Sequence, residues 1–226
     1  MVAPGSLISI FGTSLASSLA LADSIPLSTN LNGVEVTIND IPAPLLFVSA
    51  NQINAQLPWN AGGGTANVVV KRNGALSAPV NFPVSNINPG IFTVAGTGVG
   101  QAVAYGNLDG AFAAPAGSLP GAHPAKIGDP ATLVILATGL GPVDHPVASG
   151  DIPPPGVLSN TIDKPIVLVG GVPAQVVFSG LTPLYVGVYQ INIIISPGTP
   201  VGDAVPLQIV MGGVTTTDKV TIAVTQ

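Results

Sequence analysis

Several segments of this chain occur twice, in the same order, and any fold must accommodate that. Ser6-Leu7-Ile8-Ser9-Ile10-Phe11-Gly12-Thr13-Ser14-Leu15 lines up with Ala131-Thr132-Leu133-Val134-Ile135-Leu136-Ala137-Thr138-Gly139-Leu140. Val36 to Ala43, closing on Ile41-Pro42-Ala43, lines up with Val167 to Ala174, closing on Val172-Pro173-Ala174. Gln52-Ile53-Asn54 returns as Gln190-Ile191-Asn192, and Val80-x-Phe82-x-Val84 as Val220-x-Ile222-x-Val224. The spacing between partners widens along the chain only through loop insertions, which reads as a duplicated unit.

The unit is made of strands. Val34-Glu35-Val36-Thr37-Ile38-Asn39 and Gln52-Ile53-Asn54-Ala55-Gln56-Leu57 alternate apolar and polar residues, as strands with one buried and one wet face do. Val68-Val69-Val70, Asn73-Gly74 and Val80-Asn81-Phe82-Pro83-Val84 predict a hairpin, because Asn-Gly tolerates the positive φ angles of a type I′ turn. Short strands at this spacing indicate a sandwich. The only helix-compatible stretch, Ser14 to Ala22, is short and rich in Ser, and at most one turn is expected there.

The duplication also decides how the first residues are read. An apolar stretch ending in Ala20-Leu21-Ala22 resembles a secretory signal, but residues 1 to 22 carry no Lys or Arg, and Gly5, Gly12 and several serines interrupt the run. It also falls short of the roughly 20 continuous apolar residues of a membrane span. Since Ser6 to Leu15 has a counterpart at 131–140, it is expected to be the first strand of copy one. Any signal peptide of the parent protein is expected upstream.

Only 7% of the 226 residues are charged, while 47% are hydrophobic. That balance opposes disorder driven by charge repulsion and supplies enough apolar residues for a core. A net charge of −5, with Lys71-Arg72 the only adjacent basic pair, offers phosphate backbones no footprint, so nucleic acid is not an expected partner. The absence of Cys excludes disulfides and thiolate metal sites. A surface short of Lys and Glu lacks the charges that usually blunt sheet edges, so self-association through edges or apolar patches is expected to compete with solubility.

The division expected is a first sandwich at 1–86, a connector at 87–126 and a second sandwich at 127–226. The connector is rich in Gly, Ala and Pro yet carries strand-like Gly90-Ile91-Phe92-Thr93-Val94 and Gln101-Ala102-Val103-Ala104-Tyr105. Asn107-Leu108-Asp109-Gly110 is a turn expected to close a hairpin with Ala111-Phe112. An ordered connector is expected.

"PGSLISIFGTSL", "LNGVEVTINDIPAPLLFVSANQINAQLPW", "NPGIFTV", "ATGLGPV" and "GGVPAQVVFSGLTPLYVGVYQINI" together resemble a C-terminal domain family of secreted Acidobacteria proteins of the Solibacter type. Each half also resembles an IPT/TIG domain, the immunoglobulin-like fold found in transcription factors and cell-surface receptors. The resemblance implies two tandem immunoglobulin-like β-sandwiches of the E-set type, in the C-terminal part of a larger exported protein. It carries over no catalytic residue and no cofactor.

Candidate sites are few. Asp144-His145 beside Asp151 is the densest ionisable cluster, and His123 is the only other histidine. A hydrolase needs a nucleophile and an oxyanion hole within reach of a base; no G-x-S-x-G occurs, and the cluster lies in a Pro-rich loop, so solvation is the simpler account. Two histidines without cysteine suit no zinc site. Asn107-Leu108-Asp109-Gly110 faintly resembles the start of a calcium loop, but Ser118 stands where the bidentate Glu would be. Gly96-Thr97-Gly98-Val99-Gly100 lacks dinucleotide-loop spacing and reads as a bend.

Gln52, Asn54, Gln190 and Asn192 are more informative, since the alternation turns them outward. Their repetition favours amides that bond across strands or tie loops to the backbone; the functional account makes them a polar face for a glycan or peptide. Trp59, the only tryptophan, follows Pro58 at the end of the Gln52 strand, and one aromatic near amides is the minimum for stacking on a sugar. Copy two has no aromatic after Pro197, and Trp59 is expected to plug a domain junction instead. The expectation is a non-enzymatic structural, adhesive or binding module at the cell exterior or surface, partnered by protein, glycan or itself. The alternatives are a self-assembling subunit of a filament or surface layer, and a carbohydrate-binding module.

Overall fold

The first copy alternates as the sequence requires, and the strands follow from it. They are β1 (Leu7–Phe11), β2 (Ala20–Leu21), β3 (Asn30–Leu31), β4 (Val34–Ile38), β5 (Ile41–Pro42), β6 (Leu45–Val48), β7 (Gln52–Gln56), β8 (Gly64–Arg72), β9 (Ala75–Leu76) and β10 (Val80–Val84). One sheet runs β1-β7-β6-β2; the other runs β10-β8-β4-β3, with β5 on β4 and β9 on β8. Val34, Val36 and Ile38 of one sheet and Leu45, Val48 and Ile53 of the other are all fully buried in a shared core. Leu7–Phe11, the centre of the Ser6 to Leu15 segment, is thus bound into a sheet, β1 pairing antiparallel with β7.

The computed structural model describes residues 1–217 and 219–226, and no helix occurs among them. The Ser14–Ala22 stretch ends in a short strand on β6 instead of a helical turn. The Asn73-Gly74 hairpin forms as expected: φ is 48° and 88°, and Lys71 pairs with Leu76. Asn39-Asp40 makes a turn of the same kind between β4 and β5, at φ 49° and 64°. Its αL cost is offset by side-chain bonds, Asn39 Nδ2 donating to the Ala61 carbonyl at 3.0 Å and Asn39 Oδ1 accepting from the Asn67 amide at 3.0 Å.

The connector is ordered into β11 (Gly90–Ile91), β12 (Gly100–Gln101), β13 (Ala104–Gly106) and β14 (Ala125–Lys126). The hairpin closing on Ala111-Phe112 is present, with Tyr105 bridging to Phe112. Copy two comprises β15 (Leu133–Thr138), β16 (Ile166–Val169), β17 (Val172–Pro173), β18 (Gln175–Leu181), β19 (Tyr189–Ile194), β20 (Gly202–Met211), β21 (Val214–Thr215) and β22 (Val220–Thr225). Its sheets run β15-β19-β18 and β22-β20-β16, each strand of which has its counterpart in copy one.

Register repeats along with order. Ile10 faces Ile53 in copy one and Ile135 faces Ile191 in copy two, and these are the residues that the sequence pairs with one another. Ile38 faces Ile41, and Val169 faces Val172. Lys71 faces Leu76, and Val210 faces Thr215. In place of Asn39-Asp40 the second copy has Gly170-Gly171, again both at positive φ. There a Cβ on Gly170 would lie 2.7 Å from Pro200 Cδ, so only glycine fits.

The copies differ in what the connector adds. β11 and β13 pair antiparallel with β15, and β12 and β14 pair parallel with β22, so strands from the connector extend both sheets of copy two. The described residues form two compact units. The first is Met1–Asn88 with Gly141–Ser159 and Leu181–Val188; the second is Pro89–Leu140 with Asn160–Gly180 and Tyr189–Gln226.

Candidate functional site

In the first unit the outward face of β1 and β7 carries Ser9, Phe11, Gln52 and Asn54. Gln52 Nε2 donates to Asn54 Oδ1 at 2.7 Å and Ser9 Oγ to the same oxygen at 3.0 Å. In the second unit Gln190 Nε2 donates to Asn192 Oδ1 at 2.8 Å. In both copies the glutamine donates to the asparagine two residues further along the same strand face. Phe11 lies at the β1 end of the first row and is 74% exposed. Sequence reasoning passed over it, although the alternation of Leu7-Ile8-Ser9-Ile10-Phe11 already turned it outward.

Trp59 is partly buried. Its ring lies against Gly5, where a Cβ would overlap the indole atoms, and its backbone amide donates to Ser149 Oγ at 3.1 Å. Gly5, at φ 81°, is therefore required both by the backbone and by the ring. Another residue missed from sequence, Gln56, is fully buried and bonds at both ends: Nε2 donates to the Gly5 carbonyl at 3.2 Å, and Oε1 accepts from the Gly150 amide at 2.6 Å. It ties the turn before β1 to the segment 141–159. Nothing in the alternation separates Gln56 from the solvated Gln52, because the loop that covers it comes from a hundred residues away along the chain.

The Asp144-His145 cluster stays in solvent. His145 Nδ1 lies 3.0 Å from Asp144 Oδ1, with side chains 64% and 42% exposed. Asp151 caps its own loop by accepting from the Ile152 amide at 2.8 Å. Ser159 Oγ donates to the backbone carbonyl of His145 at 2.7 Å, which commits its proton away from the imidazole.

The second unit has a groove of about 410 Å³ between the 107–110 turn and the start of β15. Leu133, Ile193 and Ile195 supply apolar lining, and Asp109, His123, Lys126 and Asp129 supply ionisable groups. His123 Nε2 lies 2.8 Å from Asp109 Oδ2, while Asp109 Oδ1 accepts from the Ala111 amide at 3.0 Å. The Asp109 hydrogen bond holds the His123 imidazole above its ordinary pKa, assisted by the Pro124 carbonyl, and the same bond holds Asp109 below the usual carboxylate range. Both oxygens of Asp109 are thus engaged, Oδ1 at its own turn and Oδ2 by His123. Among the described residues, no group of three or more His, Cys, Asp or Glu side chains comes together to hold a metal ion.

The IPT/TIG domain model matches residues 2–84. The IPT/TIG span covers every strand from β1 to β10, and the second sandwich repeats the order of all of these but β2 and β3. No curated protein matches the chain. Among solved structures, the full extracellular region of plexin A4 is similar in two crystal forms. Each match is at 10% identity and TM-score 0.31, covering 100% and 99% of this chain but 15% and 17% of the plexin chains. Domains 5-6 of the S-layer protein SbsC are similar at 14% identity and TM-score 0.22, covering 99% of this chain and 91% of that one. The chain therefore spans about a sixth of the plexin chains it matches.

Proposed function

We propose that the chain is a non-catalytic structural or adhesive module at the cell exterior, part of a larger exported protein. Its intended divisions would be a first sandwich at 1–86, a connector at 87–126 and a second sandwich at 127–226. The observation that carries this reading is the IPT/TIG match over the first sandwich, whose main sheet order and register recur in the second. The wider resemblance to the C-terminal domains of exported Solibacter-type proteins supplies the cellular context. The ionisable groups fit it too: Ser159 Oγ donates to the His145 backbone carbonyl, and both Asp109 oxygens are engaged, by the Ala111 amide and by His123.

In this reading the outward row of exposed Ser9 and Phe11 with half-buried Gln52 and Asn54 is the contact face of the first sandwich. Gln190 and Asn192 play the corresponding part in the second. Trp59 packs against Gly5 and serves as an internal prop, which weakens the carbohydrate-binding alternative. The chain applied to glycan and protein arrays is expected to give saturable binding to protein, reduced by Phe11→Ala. Uniformly blank protein arrays would sink the adhesive reading, and saturable glycan binding abolished by Gln52→Ala would replace it. Self-association is a second reading, favoured by the low charge and by the uncharged, exposed strand β1.

A further inference from the structure

We propose that the free edge of β1 is an association surface for a second copy of this chain, two β1 strands pairing antiparallel about Ser9. The proposal deepens the self-association reading and rests on it.

The first step concerns the direction of backbone groups. The Ser6 carbonyl accepts from Leu57 at 2.8 Å and the Gly12 amide donates to Asn51 at 3.2 Å. In an antiparallel ladder alternate residues bond to the same neighbour, so Ile8 and Ile10 also bond to β7. The amide and carbonyl groups of Leu7, Ser9 and Phe11 then point away from the sheet.

The second copy shows what such an edge accepts. The counterparts of Leu7 and Phe11 are Thr132 and Leu136. Asn107 donates to the Thr132 carbonyl at 2.9 Å, Leu136 donates to Val103 at 3.0 Å, and Phe92 donates to Leu136 at 3.1 Å. The bonds come from the connector, and β11 and β13 run antiparallel to β15. Cover also completes the core. Leu133 and Ile135 are 6% and 0% exposed, whereas their counterparts Ile8 and Ile10 are only partly buried. The β1 edge is built like the β15 edge, but no described strand pairs along it.

The third step names the occupant. The covering strand in copy two is short, antiparallel and uncharged, and β1 itself has those properties. Residues 5–22 contain no charged side chain and no proline, so the edge carries none of the usual blocks to pairing. About a two-fold axis at Ser9, Leu7 faces Phe11 of the second copy and Ser9 faces its equivalent, giving aliphatic–aromatic pairs with no like charges opposed. The β1-β7-β6-β2 sheet would then continue across two copies. A five-residue edge makes a small interface, so weak, concentration-dependent dimers are expected.

Sedimentation velocity on the full chain over a wide concentration range tests this. Ser9→Lys sets two ammonium groups against each other and is expected to raise the dimer dissociation constant at least roughly tenfold. Ser9→Pro removes the outward-facing amide and the Ser9 Oγ bond to Asn54, leaves the backbone bonds to β7 in place, and is expected to do the same. Leu158→Lys, on an exposed loop residue, is expected to change nothing. In a chain without cysteine, Ser9→Cys is the sole thiol and is expected to cross-link into a disulfide dimer on mild oxidation; this readout stands even if the Lys and Pro variants fail to fold. A chain that remains monomeric at millimolar concentration, or dimers indifferent to Ser9→Lys with no Ser9→Cys cross-link, would overturn the proposal. So would β1-edge binding of a foreign strand by a monomeric chain. A monomer that still binds on protein arrays would leave the adhesive reading standing while this proposal fell.

Discussion

Ile10 and Ile135 occupy the same place in the two sandwiches and face the same partner, Ile53 in one copy and Ile191 in the other. Their settings differ. Ile135 is fully buried on a strand flanked by β19 and by β11 and β13, while Ile10 is partly buried on a strand that pairs, among the described residues, with β7 alone. One sequence pattern thus gives two degrees of burial, according to whether the connector contributes a strand. Ile135→Ala removes contacts from a closed core and is expected to cost about 2–5 kcal/mol. Ile10→Ala removes a side chain that water already reaches, and is expected to cost about half as much. Denaturant unfolding of the two variants checks this, and equal losses would mean that β1 is as fully covered in solution as β15.

The same pair shows how far the sequence carries. The strands, the two-residue turn at Asn73-Gly74 and the correspondence of the copies follow from alternation and turn chemistry, because these are set by neighbours in the chain. What covers an edge is set by residues far away. The connector's apolar pairs announced strands, but no local rule assigns Tyr105 to a place opposite Val134, or leaves Ser9 without an equivalent partner. Likewise Gln52-Ile53-Asn54 revealed its outward amides by period and repetition, and their mutual hydrogen bonds agree with that period. Gln56, one period further on, is buried by a loop that alternation does not see.

Gln56 sharpens the comparison, because its place on β7 corresponds to Ile194 on β19, so the buried clamp belongs to copy one alone. In Gln56→Leu, which keeps the bulk, the Gly150 amide and the Gly5 carbonyl would lose their partners in a buried site. The expected cost is about 1–3 kcal/mol. Amide hydrogen exchange should show the loss at Gly150, with the β15 and β19 amides unchanged. Loss of protection spread equally over both copies would contradict an origin in copy one.

The smallest effect concerns the Asp109–His123 pair, which has no counterpart in copy one because the connector brings it. The hydrogen bond that His123 donates to Asp109 raises the His123 pKa above its ordinary 6.5 and lowers that of Asp109 below 3.8. For the histidine, a raised folded-state value means stabilisation that is complete below 6.5 and lost as pH rises through the folded value. For the carboxylate, a lowered value means stabilisation present above 3.8 and lost as pH falls through the folded value. Between those limits wild type should be more stable than Asp109→Asn, and above the folded His123 value the difference should disappear. Both side chains are more than half exposed, so water screens the pair and the change in Tm should be slight. The decisive readout is therefore the NMR titration of His123, expected to fall back toward 6.5 in Asp109→Asn. An unchanged midpoint would mean that the 2.8 Å contact does not persist in solution, and that the connector's turn is held by the backbone bonds of Ala111 and Gly110 alone.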